Sequence, residues 1–571
     1  MLASRVKSFK SLLLKKKFGR KARGLKSAPM VCQAESQSTG EGVFFPPYVE
    51  VKQTPLAHSS SFSRPIGTLE KLFEDISEVG GGPIDREHTA FFTVLQVRFP
   101  PVVTRAEDHI ARAWEEVGRQ FPALRASISS SNRPDGNKQS MITVQPWSES
   151  NFRNSFTVHP GCPNVDVLFS TPSPRRTTAT CHWLPDPGQV VIRTAHWRTD
   201  GFGLVLLSQT FLSTLATTLR AGISAPLSNN SASQPLSVPP SLEDLVRKHV
   251  QDHPGTAADA DDLANIFVDG GRSIGFPTRP GASTAAPTVC ERVAIRMDAG
   301  NSAKLVSACR TLGFSVTSAV NAAVIRTAAR FPQEPGADAY VVFAPVDLRA
   351  PLMAAGAQEC SQPTGNYVSG LPLRVDGVAK PSESGDSVPG KRFGELVHEL
   401  GSIYSQDVTS YRRPDKADAK TLNLLQLSEP YIQRMAGLYS KFPAPGCPFP
   451  KTPVISSFGN MDTFIKQEYR SSSVVDDDDA MLAATKLNVT DFWVGCDCAR
   501  PMIVFNPYSW GGEFTLLAAW DHSYYSKEFV LDVLEKTMAE LYEGLEMGQT
   551  PNVVVRRSIQ LPWVNSFNSD D

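Results

Sequence analysis

VVIRTAHWRTDGFG, residues 190–203, decides how this chain is read. Val190, Val191 and Ile192 are β-branched, and the run is bounded by Pro187-Gly188 before it and Asp200-Gly201 after it, which predicts a strand entering a turn. From Leu204 the residues become apolar enough for a buried helix. His196 therefore stands at a strand end with Asp200 four residues on, in a glycine-bounded turn that is expected to expose the imidazole. An imidazole titrating near neutrality can take a proton from a hydroxyl as that hydroxyl attacks a thioester. Gly201 lets backbone approach closely. Taken alone, H-x-x-x-D is a weak pattern, and a lone histidine in a long chain is more often structural than catalytic.

Outward from this stretch the chain alternates between helical and extended signals, which indicates an α/β class. Upstream, Thr104 to Phe121 repeats apolar residues at three and four (Ala106, Ile110, Ala113, Trp114, Val117, Phe121), with Thr104 and Glu107 as a capping-box pair and Phe121-Pro122 as the stop. Ala225 to Ala286 is rich in Ser, Pro, Gly, Asn and Asp around one short helical stretch, Leu242 to Val250, and reads as a linker. Ser302–Leu312 and Ser315–Arg330 are expected to be two helices divided by Gly313, the second internal. Tyr340–Val346 is a strand candidate, and Lys527–Leu545 a final amphipathic helix. Ala379–Lys391 and the acidic run Asp476–Asp479 read as surface loops.

Several segments in order make the histidine stretch more specific. The sequence His196-Trp197-Arg198-Thr199-Asp200-Gly201 resembles the HxxxDG motif of the CoA-dependent acyltransferase superfamily, which includes BAHD enzymes, peptide-synthetase condensation domains and chloramphenicol acetyltransferase. Gln120-Phe121-Pro122-Ala123-Leu124-Arg125 looks like the HPxLR segment of condensation domains. Ala308 to Ala329, with Gly313-Phe314-Ser315-Val316-Thr317, is similar to the helix, turn and helix that open the second lobe. Val346-Asp347-Leu348-Arg349, followed by Thr364-Gly365-Asn366-Tyr367-Val368-Ser369-Gly370-Leu371-Pro372-Leu373-Arg374, resembles the family's DxR and GN/GxFvNTLPLR stretches. Asp491-Phe492-Trp493-Val494-Gly495 occupies the place of the BAHD DFGWG motif but departs from it in the middle, and Tyr508-Ser509-Trp510-Gly511-Gly512 follows. The pattern is most similar to fungal secondary-metabolite O-acyltransferases of the trichothecene O-acetyltransferase kind, over roughly residues 65 to 548.

The resemblance implies two chloramphenicol-acetyltransferase-like lobes with an active-site tunnel between them. The expected division is a basic extension (1–45), an N-terminal lobe carrying the motif (46–225), a linker or crossover (226–288) and a C-terminal lobe (289–571). It implies His196 as general base, and Asp200 turned away from the substrate and paired with an arginine, for which Arg349 is the candidate. Gly201 would line the tunnel floor, and Asn366, Ser369 and the Trp510 indole are candidate oxyanion donors. The implied reaction is direct transfer of an acyl group, by default acetyl, from acyl-CoA as co-substrate to a hydroxyl of a small natural-product acceptor, with no bound cofactor and no metal. Two other readings stay open. One is a condensation-type enzyme using carrier-bound thioesters, against which Ala195 stands where condensation domains usually carry a first histidine. The other is a non-catalytic metabolite-binding protein of the same fold.

Composition agrees with these readings and excludes others. A formal net charge of -1 gives no overall basic excess for a nucleic-acid partner. Nine cysteines at irregular spacing suit a reducing compartment, and Cys496 and Cys498 lack zinc-site spacing. The most apolar stretch, Gly203 to Leu215, carries Ser208, Gln209 and Thr210, so no bilayer crossing is expected. The basic first thirty residues leave a mitochondrial or membrane-surface location open beside a cytoplasmic one, and a monomer is expected. Gly271-Arg272-Ser273-Ile274-Gly275 matches the nucleophile-elbow pattern of serine hydrolases, but Pro277 and Pro280 stand where its helix would have to follow. Asp521-His522 is a second acid–base pair, read as structural because neighbours on a strand face opposite ways.

Overall fold

A computed structural model describes residues 61–78, 87–132, 138–146, 148–170, 178–223, 237–251, 256–282, 285–381, 387–413, 416–442, 449–470, 486–548 and 554–556. The basic N-terminus and Asp476–Asp479 lie outside these residues.

Two six-stranded sheets organise the chain. The first half contributes helices α1 (Thr68–Ser77), α2 (Ala106–Gln120) and α3 (Gly201–Ala221) with strands β1 (Phe91–Arg98), β2 (Phe156–Val158), β3 (Thr180–Leu184) and β4 (Gln189–Thr194). The crossover carries α4 (Leu242–His249) and α5 (Thr256–Asn265). The second half contributes strands β5 (Cys290–Arg296), β6 (Ala337–Asp347), β7 (Val368–Val375), β8 (Leu487–Cys496), β9 (Val504–Trp510) and β10 (Glu513–Asp521), with helices α6 (Ala299–Leu312), α7 (Val316–Ala328), α8 (Phe393–Tyr404) and α9 (Lys527–Gly544). The first sheet runs Glu468–Tyr469, β8, β1, β4, β3, β2, and the second Val454–Ile455, β9, β10, β5, Val554–Arg556, with Gly459–Asn460 also pairing with β9.

The β3–β4 hairpin closes at Gly188, whose φ of +68° and 2.8 Å approach of a would-be Cβ to the Val97 carbonyl both require glycine. All of β4 is buried, because β1 and β3 flank it and its Val190 and Ile192 share a core with Leu204, Leu207 and Phe211 of α3. Helix α3 is long and apolar enough to cross a bilayer by length and composition, yet Leu204, Leu207, Phe211, Leu212 and Leu215 are buried inside the fold. Its Ser208 hydroxyl donates to the Leu204 carbonyl (2.9 Å) and meets Thr93 Oγ1 at 2.7 Å, so the apolar face hides no orphaned hydroxyl there. In the second half, Gly313 ends α6 in the left-handed conformation and Ser315 caps α7 through the Ser318 amide. Helix α7 is then packed between α8 and α9, with Ser318 through Ile325 all buried.

Several expectations need correction. Helix α2 starts at Ala106 with Arg105 at its N-cap and no side-chain cap; Arg105 pairs with Asp108 instead, so Thr104 and Glu107 form no capping box. Helix α3 begins three residues earlier than its apolar run, since Asp200 caps it through the Gly203 amide. The crossover is packed structure with two helices, and Leu242, Leu245, Leu263, Ile274 and Phe276 are buried core residues. Ala379–Pro381 and Ser387–Pro389 pair as a small hairpin within the expected loop. The lobe boundary at 289 is not clean either, because β8 inserts between β1 and Glu468–Tyr469 of the first sheet. Asp497, just beyond β8, fastens this crossing: Arg193 of β4 reaches it at 2.9 Å and Arg292 of β5 at 3.3 Å. Arg292 also lies over the Phe92 ring, 4.2 Å from its centroid.

Candidate active site

Strand β4 delivers His196 to the seam between the two halves of the chain. Two residues after β4 ends, a turn closed by the Arg198 amide on the Ala195 carbonyl (3.2 Å) redirects the backbone into α3. Segment 363–367, between the Arg349–Ala354 helix and β7, grips that turn from the other side. The Gly365 amide donates to the Arg198 carbonyl (2.9 Å), Thr199 Oγ1 to the Pro363 carbonyl (2.8 Å), and Asn366 Nδ2 to the His196 carbonyl (2.8 Å). Arg198 is held by the Ala126 carbonyl and Thr194 Oγ1 and lies over Trp197, so with Thr199 on Pro363 all three variable positions of the motif point into structure.

Asp200 faces away from the imidazole and is saturated. Its Oδ1 accepts from the Gly203 amide and its Oδ2 from the Tyr367 amide, each at 2.8 Å, while Arg349 Nη1 lies 2.9 Å from both oxygens. The same nitrogen reaches Asp347 Oδ1 at 2.9 Å. Burial pushes the Asp347 carboxyl up, with Asp200 adding to it and Arg349 opposing both. The Arg349 guanidinium suffers burial too, but the two carboxylates outweigh that and raise it above its ordinary value. Gly203 is glycine for a packing reason: a Cβ there would stand 2.1 Å from Thr199 Oγ1 and 2.9 Å from Arg349 Nη2. Gly201 is buried as the first residue of α3.

The imidazole is buried rather than exposed. His196 is 7% exposed; the ring of Phe73 stacks on it at 3.5 Å and 11°, and Phe91 leans on it at 4.5 Å. A strand end suggests exposure only when nothing covers it, and α1 supplies the cover from far along the chain. Burial drives the His196 pKa down to about 4, with a hydrogen bond to its own backbone and the charge of Asp200 as partial offsets. The ring is therefore neutral at neutral pH, with a lone pair available for a proton.

The three oxyanion candidates fare differently. Trp510 Nε1 is its only donor and is committed to the Ile465 carbonyl (2.7 Å), so the indole is structural. Asn366 Nδ2 spends one hydrogen on the His196 carbonyl and lies 3.3 Å from His196 Nδ1, while its Oδ1 is buried without a partner. Ser369 Oγ is fully buried on β7 and has no partner.

The remaining motifs are structural. Ser273 Oγ accepts from the Val341 amide in a two-residue strand with no helix after it, so no elbow forms. That segment lines a cavity of about 420 Å³, with Lys441, Lys451 and Glu334 on its wall and none of the His196 cluster. Asp521 accepts from the Thr288 and Ser523 amides, and His522 pairs with Glu291. The cysteines of the described residues are free thiols, and no group of three metal-ligating side chains occurs among those residues.

Over 88% of its length the chain superposes on all of the trichothecene 15-O-acetyltransferase TRI3 from Fusarium sporotrichioides, with a TM-score of 0.62 and 14% identity. This is the chloramphenicol-acetyltransferase-like acyltransferase and condensation-domain fold. The epimerization domain of tyrocidine synthetase B shares it (TM-score 0.51, 11% identity, 85% of this chain and 98% of that one). No protein-family model matches the chain. Among curated proteins it is similar to the loline biosynthesis cluster 1 transcription factor lolU1 of Epichloe uncinata, 25% identical over 86% of this chain and 96% of that protein. It is also similar to the acetyltransferase pigO of Monascus ruber (27% identity, 47% and 56%) and to the O-acetyltransferase pigM of the same organism (26%, 62% and 69%).

Proposed function

We propose that this protein is an acyltransferase of secondary metabolism that transfers an acyl group, by default acetyl, from acyl-CoA to a hydroxyl of a small natural-product acceptor. The observation that carries the reading is the neutral, buried His196, held at the seam by Asn366 while Asp200 is turned away onto Arg349. Similarity to the acetyltransferases pigO and pigM supports the acetyl group, and the biosynthesis cluster in the name of the Epichloe relative supports a secondary-metabolite setting.

In this reading the His196 Nε2 lone pair takes the acceptor's hydroxyl proton as that oxygen attacks the thioester carbonyl. The tetrahedral oxyanion needs a donor, and Ser369 is the assigned one, because its buried hydroxyl has no partner, whereas the Trp510 indole is committed to the Ile465 carbonyl and the Asn366 amide already holds the His196 carbonyl. Collapse breaks the carbon–sulfur bond; the departing thiolate takes the proton back from the imidazolium, leaving ester, free CoA thiol and neutral His196. Arg349 and Asp200 meet no reacting atom in this scheme: they hold the turn.

The test is free-thiol release from acetyl-, malonyl- and longer acyl-CoAs with a panel of hydroxylated terpenoids and polyketides, with mass spectrometry of the products. Acceptor-dependent release with a matching ester, lost in His196→Ala, is the expected result. Activity only with carrier-loaded acyl groups would reassign the protein to condensation chemistry. Full turnover by His196→Ala would overturn the base assignment, and silence with every donor, alongside DNA binding, would favour the role named for the Epichloe relative.

A further inference from the structure

Helix α1 has no part in the scheme above, yet it sets the environment of the base. Phe73 lies parallel to the imidazole at 3.5 Å, and Phe91, opposite Thr194 in the sheet register, closes on it at 53°. An aromatic ring stacked so closely fixes the plane of its neighbour and keeps water off that face.

The seating of α1 is itself determined by the crossover. Leu69 N at the first turn donates to Glu243 Oε1 (2.8 Å), and a Cβ on Gly67 would lie 2.6 Å from both Glu243 Oε2 and Ser241 Cβ, so the helix start is pressed against residues 241–243. Arg64 joins Glu70 through two nitrogens (2.8 and 2.6 Å) and donates to the Pro239 carbonyl. The next carbonyl, Pro240, accepts from the Tyr367 hydroxyl (3.1 Å), and Tyr367 is the residue whose amide holds Asp200. One short segment, 239–243, thus indexes the ring over His196 and the carboxylate behind it to a single frame.

We infer that Phe73 is a positioning residue for His196: it fixes the imidazole plane and shields one face, so that the base presents its edge to the acceptor hydroxyl. The inference rests on the acyltransferase reading only in giving His196 a proton to take. The charges of α1 are turned elsewhere, Glu70 to Arg64 and Lys71 to Glu74 and Asp75. Asp200 is the charge acting on the imidazole, with Arg349 and Asp347 behind it; Arg198 and Thr199 of the turn and Asn366 of the facing segment are the other polar side chains nearby. Removing the ring therefore changes solvation and orientation and leaves those charges in place.

The experiment is a titration of the His196 imidazole by NMR on the nitrogen-15-labelled full chain, compared among wild type, Phe73→Leu and Phe73→Tyr and paired with steady-state kinetics. Wild type is expected to stay neutral down to about pH 4, whereas Phe73→Leu moves the midpoint toward the ordinary 6.5. Its kcat is expected to fall by about tenfold or more, as misorientation of a base does, with little change in KM for acyl-CoA. Phe73→Tyr should restore both readouts. An unshifted midpoint with unchanged kcat in folded Phe73→Leu overturns the inference, as does a loss that Phe73→Tyr leaves unrepaired. If circular dichroism finds Phe73→Leu unfolded, Phe73→Met carries the same comparison. Because the titration needs no turnover, it stands even if His196→Ala proves fully active, in which case the assignment of His196 as the base fails by itself.

Discussion

Replacing Asp200 with Asn tests how the turn behind the base is held. The carboxylate is surrounded by donors only: two backbone amides at 2.8 Å and Arg349 Nη1 at 2.9 Å from both oxygens. An amide of the same shape must turn its NH2 toward one of them, so either rotamer sets donor against donor and removes the charge from a buried pair. Breaking a buried ion pair by removing one partner costs about 3–5 kcal/mol. Here the lower end is expected, because Asp347 stays with Arg349 and is relieved of the repulsion from Asp200. Equilibrium urea unfolding at pH 7.5, followed by tryptophan fluorescence, should therefore show Asp200→Asn less stable by about 3 kcal/mol. A double-mutant cycle with Arg349→Met should return a coupling of about 1–3 kcal/mol. Turnover should fall with it, since the same carboxylate caps α3 and holds the Tyr367 amide. A loss under about 1 kcal/mol, the range of an exposed pair, would refute the claim that this ion pair holds the site together.

Other expectations follow from individual groups. Ser369→Ala should lower kcat by about a hundredfold to a thousandfold, the usual effect of losing an oxyanion donor, with no loss of stability because its hydroxyl has no partner to strand. Trp510→Phe should leave kcat unchanged while costing about 1–3 kcal/mol of stability through the orphaned Ile465 carbonyl, measured by urea unfolding. Glu243 is a carboxyl pushed up to about 7 by burial, so its protonated form is favoured by folding; the stability it contributes is complete below pH 4.5 and lost as pH rises through 7. Glu243→Gln should accordingly stabilise the protein at pH 8 by about 3 kcal/mol and not at pH 4.5, read from unfolding at the two pH values. His196 has the opposite sign: its lowered pKa means stability is lost as pH falls from 6.5 through about 4, and kcat/KM should hold its plateau well below pH 6.5.

What could be read from sequence was what local chemistry decides. The β-branched run before His196, the glycine and serine between α6 and α7, and the apolar repeat of α9 each specify their own conformation within a few residues. Arg349 came from an ordered motif, and the structure places it on Asp200. The errors share a cause in long-range packing. His196 looked exposed because its covering ring, Phe73, lies far upstream on a helix that went unrecognised, although Leu69, Leu72, Phe73 and Ile76 repeat at helical spacing after Gly67. Trp510 looked available because nothing local signals that its indole is claimed by Ile465. The crossover looked like a linker because its polar composition hides that Leu242, Leu245 and Leu263 complete a core built by other elements. Even the cap at Thr104 failed through a neighbour, since Arg105 and Asp108 settle that helix start between them.

The insertion of β8 beside β1 has a consequence for how the molecule comes into being. Thr490 donates to the Gln96 carbonyl across 394 positions of sequence, and Ala499 to His88 across 411. During synthesis β1 therefore emerges with one edge unpaired and waits for nearly all the remaining chain, exposing the template to which stray strands add. Contacts so distant in sequence are slow to close and reward the chain only late. The strand that delivers the histidine of a fourteen-residue motif thus belongs to a sheet completed only when the ribosome has all but finished, so premature termination between residues 203 and 487 yields a chain that carries the motif without the strand that closes the edge of β1.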